Sequence, residues 1–361
     1  MKIKKIAISA LMLGLILSLA VLPGSAAQEK TEKKSVVPPK VMTVLKTGIQ
    51  TREARADIPF TIIQNIYLPA RENLHSVFLF ECKNADLGYM SVAPAQIDLP
   101  EKKDEEKSSF EMTPAKLMAA GHAFLLFNKM EKGKPGDLVK EVYIPYKFMD
   151  DGAEYDAEKV EFYTTGYPLP AGDYLLSMAL CSQNLERIGT QYYEFSLPDE
   201  KTFIKRLETT PVFFAKDIQR MQAVELRSEI HKGCFTYSIL KIEPNISRVL
   251  SPEDNLDVFF YIFGTSPNTQ GKYDIEVDFE VVQGDKVIIK YATQKYPRGP
   301  IVSQPLPLTR TVKITSTDKD GKKTERTEQR KLDAGEYALK IKARDNLSGN
   351  TVEKSIQFEV K

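Results

Sequence analysis

The sequence predicts an all-β protein: two β-sandwiches in tandem, behind an export signal and a short flexible linker. Three observations carry this. Short runs rich in β-branched and aromatic residues recur along the chain, turn residues separate them, and one motif repeats near the end of each half.

The strand signals come in order. Phe60–Ile63, Ser76–Phe80, Ala123–Phe127 and Val139–Ile144 are short and rich in Val, Ile, Leu and Phe. Phe235–Leu240, Leu256–Ile262 and Tyr273–Val281 follow. The last alternates cleanly: Ile275, Val277, Phe279 and Val281 share one face, and Asp274, Glu276, Asp278 and Glu280 the other. A period of two marks a half-buried strand. Gly133–Asp137 reads as a turn, and Asp318–Gly321 as a hairpin turn after Thr311–Thr315. Helical patterns are scarce. Ala115–Ala120 fits a short helical turn, and 212–230 fits helix, through Phe214, Ile218, Met221 and Glu225, or strand, through Val224, Leu226, Ser228 and Ile230.

The first 27 residues read as an export signal. Lys2, Lys4 and Lys5 precede an apolar run from Ile6 to Val21, and small residues around Ala26 and Ala27 suit cleavage. The run is shorter than the roughly 20 residues of a spanning helix, and no Cys follows it to carry a lipid. The expected mature protein is therefore exported, periplasmic or extracellular, with no transmembrane anchor. Gln28–Pro39 is charged and ends in Pro-Pro, so 28–55 is expected to be a flexible linker.

Residues 169–197 align without gaps to residues 332–360. The identical pairs are Leu169/Leu332, Ala171/Ala334, Gly172/Gly335, Tyr174/Tyr337, Leu176/Leu339 and Phe195/Phe358. Five of the six lie in one L-x-A-G-[DE]-Y-x-L unit. That unit resembles the corner before the penultimate strand of immunoglobulin-like sandwiches, including exported bacterial ones. The resemblance implies that each Tyr hydroxyl returns to nearby backbone and that a core residue follows two positions on. Here that residue is Leu176 or Leu339, so apolar packing stands where antibody domains have a cystine. Gly172 and Gly335 are expected to supply backbone freedom. The repeat divides the chain into sandwiches at 56–199 and 232–361, with 200–231 as a connector. Glu101–Lys107 reads as a solvated loop insertion.

Composition excludes more than it assigns. The 361 residues hold 50 Lys and Arg against 49 Asp and Glu, and loss of the signal leaves 47 against 49. Such neutrality argues against nucleic acid as a partner, since phosphate contacts need a basic face. There is no Trp, and only three His and three Cys. His75, His122 and His231 are scattered, so strand-end structural roles are expected of them. No H-E-x-x-H, G-x-S-x-G or phosphate loop occurs. Asp318-Lys319-Asp320-Gly321 lacks the later ligands of a calcium loop, and Asp345 and Asn346 could at most join a surface cation site. Cys82, Cys181 and Cys234 offer a Cys82–Cys181 bond, but the repeat places Cys181 on the phase of Arg344, facing solvent. No catalytic, cofactor or metal residue is therefore expected. The expected function is non-enzymatic binding or scaffolding through another envelope or extracellular protein. Carbohydrate recognition is the alternative, and a carboxylate-based hydrolase comes after it. Tyr291, Tyr296 and the Pro-rich stretch 297–307 form the most distinctive candidate surface.

Overall fold

The computed structural model describes residues 34–92, 116–317 and 323–361. The signal, loop 101–107 and the turn at 318–321 lie outside these residues. Helix α1 (Pro39–Thr51) precedes strands β1 (Phe60–Ala70) and β2 (Asn73–Lys83). A one-turn helix α2 (Asn84–Leu87) leads to β3 (Met90–Val92), β4 (Lys116–Glu131), β5 (Lys134–Asp151) and β6 (Val160–Leu169). Next come β7 (Gly172–Ser182), β8 (Ile188–Leu197), β9 (Glu208–Thr209), β10 (Phe213–Arg220) and β11 (Ile230–Lys232). Strands β12 (Phe235–Tyr237), β13 (Leu240–Pro244), β14 (Val249–Leu250), β15 (Asn255–Phe263) and β16 (Ile275–Gln283) follow. The chain continues with β17 (Lys286–Lys290), β18 (Gln294–Lys295), β19 (Ile301–Pro307), β20 (Thr309–Thr317), β21 (Lys323–Lys331), β22 (Gly335–Asp345) and β23 (Thr351–Val360).

These strands make two sandwiches. In the first, the sheet β1-β2-β6-β11 faces the sheet β3-β4-β7-β8, with β5 paired to β4. Between them lie Phe78, Phe80, Leu125, Phe127, Tyr163, Leu176 and their neighbours. In the second, β12-β13-β10-β15-β19 faces β14-β23-β22-β16-β17, with β9 and β18 as short additions. Phe260, Phe279, Leu339 and Phe358 belong to its core. Strands β20 and β21 pair only with each other among the described residues.

A third apolar cluster joins the sandwiches. Ile66, Leu68, Val77 and Leu79 pack with Phe213, Ala215, Phe235, Ile242 and Phe259. The backs of the two inner sheets thus form a seam. This explains two sequence runs that do not alternate. Val77–Phe80 and Val258–Phe260 are buried throughout, because even and odd side chains enter different cores. In β1 a register shift between Ile62 and Gln64 performs the same division. Ile62, opposite Phe80, faces the first core; after the shift Ile66, opposite Val77, faces the seam. One extra residue reverses the pleat. The outermost sheet of the second sandwich behaves differently. Ile275, Val277, Phe279 and Val281 are core, while Glu276, Asp278 and Glu280 pair with Lys295, Arg344 and Lys290.

The repeat is a structural unit in both copies. The Tyr174 hydroxyl donates to the Pro170 carbonyl at 2.9 Å, and Tyr337 to the Asp333 carbonyl at 2.9 Å. Each ring stacks on the Phe opposite it, Tyr174 on Phe195 at 5.5 Å and Tyr337 on Phe358 at 5.7 Å. Leu176 and Leu339 are fully buried. Gly172 and Gly335 take φ of 148° and 154°, which L side chains rarely adopt.

Several sequence expectations need correction. The linker reading of 28–55 misses α1, in which Val41, Leu45 and Gly48 are buried on one face. Pro39 starts this helix, where the missing N–H costs nothing. The helix packs on Phe124, Leu126, Ala179, Cys181 and Ile188. Cys181 is therefore buried under α1 and does not face solvent. All three cysteines are free, so the Cys82–Cys181 bond is absent, and burial pushes both thiols up to about 12. The stretch 116–120 opens β4 and makes no helical turn, because Ala119 fills a core position opposite Phe148. The turn expected over 133–137 is tighter, at Lys132 and Gly133 with φ of 52° and 75°. Phe235–Leu240 is not one strand: Ser238, with φ of 54°, reverses the chain between β12 and β13. The connector 200–231 contributes β9 and β10 to the second sandwich and β11 to the first.

The corner hydroxyls generate the first prediction. Tyr174→Phe and Tyr337→Phe should each lower stability by about 0.5–1.5 kcal/mol, the net contribution of one such hydrogen bond. Urea unfolding midpoints measure this, and midpoints equal to wild type would show that the rings alone hold the corner.

Candidate functional site

At the edge of the seam, where Val77 and Phe235 reach it, lies an open cleft of about 950 Å³ lined by residues of both sandwiches. Its floor follows from strand register. His75 and Val77 of β2 sit opposite Pro168 and Gly166 of β6, and His231 of β11 sits opposite Thr164. Phe235, Thr236 and Tyr237 of the second sandwich stand across from them. The irregular segment 221–229 closes the side, with Glu225 and Glu229 among its lining residues. Two hydrogen bonds fix the walls. Tyr237 donates to the Pro69 carbonyl at 2.8 Å, and Thr164 donates to the Cys234 carbonyl at 2.6 Å.

The polar groups converge on Glu225. Its Oε2 lies 2.9 Å from His231 Nε2 and accepts the Thr236 hydroxyl at 2.5 Å. Ser228 ties the same segment to the Gly166 carbonyl at 3.1 Å. Glu225, Glu229 and His231 each place a ligand atom within 4.8 Å of the others. The His75 ring makes no hydrogen bond among the described residues. Its Nε2 passes so close over Gly166 that a Cβ there would stand 2.7 Å away. Burial holds the His75 imidazole below its ordinary pKa, and the negative charge of Glu225 offsets part of that.

Sequence reasoning missed this site because its members are far apart. His75 and His231 read as isolated residues, yet β6 brings them to one sheet face through pairing with β2 on one side and β11 on the other. The nearest sequence signal was the spacing Glu225, Glu229, His231, which falls where the sequence fits helix or strand alike. His122 lies outside this cleft, with its Nδ1 3.0 Å from the Tyr143 hydroxyl. Asp345 is not a surface ligand. It is buried, accepts from the Ser348 hydroxyl at 2.7 Å, and caps the turn between β22 and β23. The second part of the Pro-rich stretch is the edge strand β19, where Pro305 and Pro307 cost no ladder bond. Beside it, Tyr261, Tyr273 and Tyr296 line a shallow pocket with Pro297 and Arg298.

The sheets and corners define the class: an all-β protein of immunoglobulin-like sandwiches. No family model matches the chain, and neither does any curated protein. Among solved structures it is similar to the fibronectin(III)-like modules of Clostridium thermocellum CbhA. That match has 11% identity, covers 68% of this chain and 85% of that one, and has a TM-score of 0.18. The fold class rests on the sheets themselves. Among the described residues no helix is long and apolar enough to cross a membrane.

His75 supplies the second prediction. Its folded pKa lies below the unfolded value of about 6.5, so the unfolded chain binds more protons between the two. Stability should therefore fall as pH drops below about 6.5. A proton NMR titration should place the His75 ring below 6.5, and His75→Gln should flatten that part of the stability profile. A His75 pKa at or above 6.5 would contradict the burial argument.

Proposed function

We propose that this chain is an exported, non-enzymatic binding protein of the bacterial envelope or extracellular space, and that it engages another protein at the seam cleft. The observation that carries the reading is the rim. Leu226 is 93% exposed and Val224 48% exposed, both on the segment that closes the cleft. Two apolar side chains held out beside a polar cavity are positioned to anchor a partner whose polar groups enter it. Charges of both signs, Arg71, Glu72, Arg227 and Glu229, line the same opening. They favour a partner of mixed charge and argue for recognition by pairing. The cleft walls belong to two sandwiches locked by the seam, so little ordering cost attends binding. The export part of the reading rests on the Lys-rich start and apolar run of the first 27 residues.

A carbohydrate reading has one supporting observation, the Tyr261–Tyr273–Tyr296 pocket beside β19. A glycan array with no binder for the wild-type protein would remove it.

The third prediction tests the rim. Tagged mature protein is used to capture partners from its native envelope or medium, beside a Leu226→Asp variant. So exposed a residue leaves folding untouched when changed. One partner should be recovered repeatedly by wild type, and at least tenfold less by the variant. Equal recovery by both proteins would place the binding surface elsewhere. Recovery of nothing by either would oppose the reading as a whole.

A further inference from the structure

Three side chains in the cleft carry the donor set of a metal site. Glu225, Glu229 and His231 bring two carboxylates and one imidazole together, with ligand atoms within 4.8 Å of one another. Donors around one zinc ion stand about 3–4 Å apart, given bonds of about 2.0–2.2 Å. Small side-chain rotations therefore close this set on a common centre. We infer that Glu225, Glu229 and His231 bind one divalent transition-metal ion, of the zinc type, in the seam cleft.

The charge of this set points the same way. Two carboxylates this close repel unless a cation sits between or beside them. No Lys or Arg pairs with Glu225 or Glu229 among the described residues; the sole ion-pair partner there is His231. A divalent ion would neutralise both acids. Glu229 is exposed and makes no hydrogen bond among the described residues, so its oxygens are free to ligate.

The surroundings are those of a held ligand set. His231 is fixed by β11, through its pairing with β6. The Thr236 hydroxyl bonds Glu225 Oε2 and leaves the second oxygen of that carboxylate without a protein partner among the described residues. Such outer hydrogen bonds orient ligands and strengthen binding. The Ser228 bond to Gly166 holds the intervening backbone. His75 lines the same cleft with a ring that makes no hydrogen bond among the described residues. The imidazole in the set selects against Mg²⁺ and Ca²⁺, which take oxygen ligands. Three protein ligands leave one tetrahedral position open toward the cleft.

The experiment is calorimetric titration of the metal-free mature chain with Zn²⁺ and, separately, Ca²⁺. It needs no partner, so its outcome is separate from the capture experiment. The expected result is one Zn²⁺ per chain, bound at least tenfold more tightly than Ca²⁺. Glu229→Gln should weaken Zn²⁺ binding at least tenfold, and its exposed position leaves folding intact. Thr236→Val should weaken binding by about 10–100-fold, as loss of an outer hydrogen bond does. Glu353→Gln, at a distant ion pair with Lys342, should leave binding unchanged. Absence of saturable Zn²⁺ uptake would overturn the inference. So would equal affinity for Ca²⁺, or a Glu229→Gln affinity within twofold of wild type.

Discussion

The structure depends on burying one pair of sheets from both sides. An isolated sandwich buries the inner face of each sheet and leaves the outer face to water. Here β2 and β15 cannot do that, because Val77, Leu79 and Phe259 would face solvent. Each such side chain contributes about 1.5–3 kcal/mol when removed from water. The seam is therefore as much a core as the two sandwich interiors, and α1 adds a smaller one over β4, β7 and β8. The sheet holding β16, β22 and β23 keeps a strongly charged outer face, and strict alternation survives along β16 over 275–281, as it does along β5 over 142–149.

The cleft is a consequence of that seam. Val77 and Phe235 belong both to the seam and to the cleft lining, and beside them polar residues take over. Groups on β2, β6, β11 and β12 keep their places because the strands carrying them are paired. The exposed segment 221–229 is the part least constrained by sheet pairing, and it bears Glu225, Leu226 and Glu229. A rigid floor with a loop-borne rim is a common arrangement for recognition.

How much of this was legible in the sequence follows from the physics of each feature. Strands with one solvated face announced themselves, as β16 did through Asp278 and Phe279. Strands buried on both faces were found too, because short apolar runs between turns have few other readings. The corner was legible because Gly172, Tyr174 and Leu176 act locally, within a few residues. Helix α1 was hidden by its Pro-rich entry and by a partner surface, around Cys181 and Ile188, that lies more than a hundred residues away. The same distance concealed the site. Nothing local distinguishes His75 from a surface histidine; its neighbours at Gly166 and His231 arrive only through sheet pairing. Phe213 and Phe214 were ambiguous because one points to the seam and the other to the second core, a pattern with no single period.

The central claim is that the seam makes two sandwiches one cooperative unit. Differential scanning calorimetry of the protein, beside a Leu79→Lys variant, tests it most directly. The account predicts one wild-type transition, with calorimetric and van't Hoff enthalpies equal. The variant buries a charge in the seam without touching either sandwich interior, so it should show two separated transitions. Two independent transitions in the wild type, or a variant indistinguishable from it, would contradict the account.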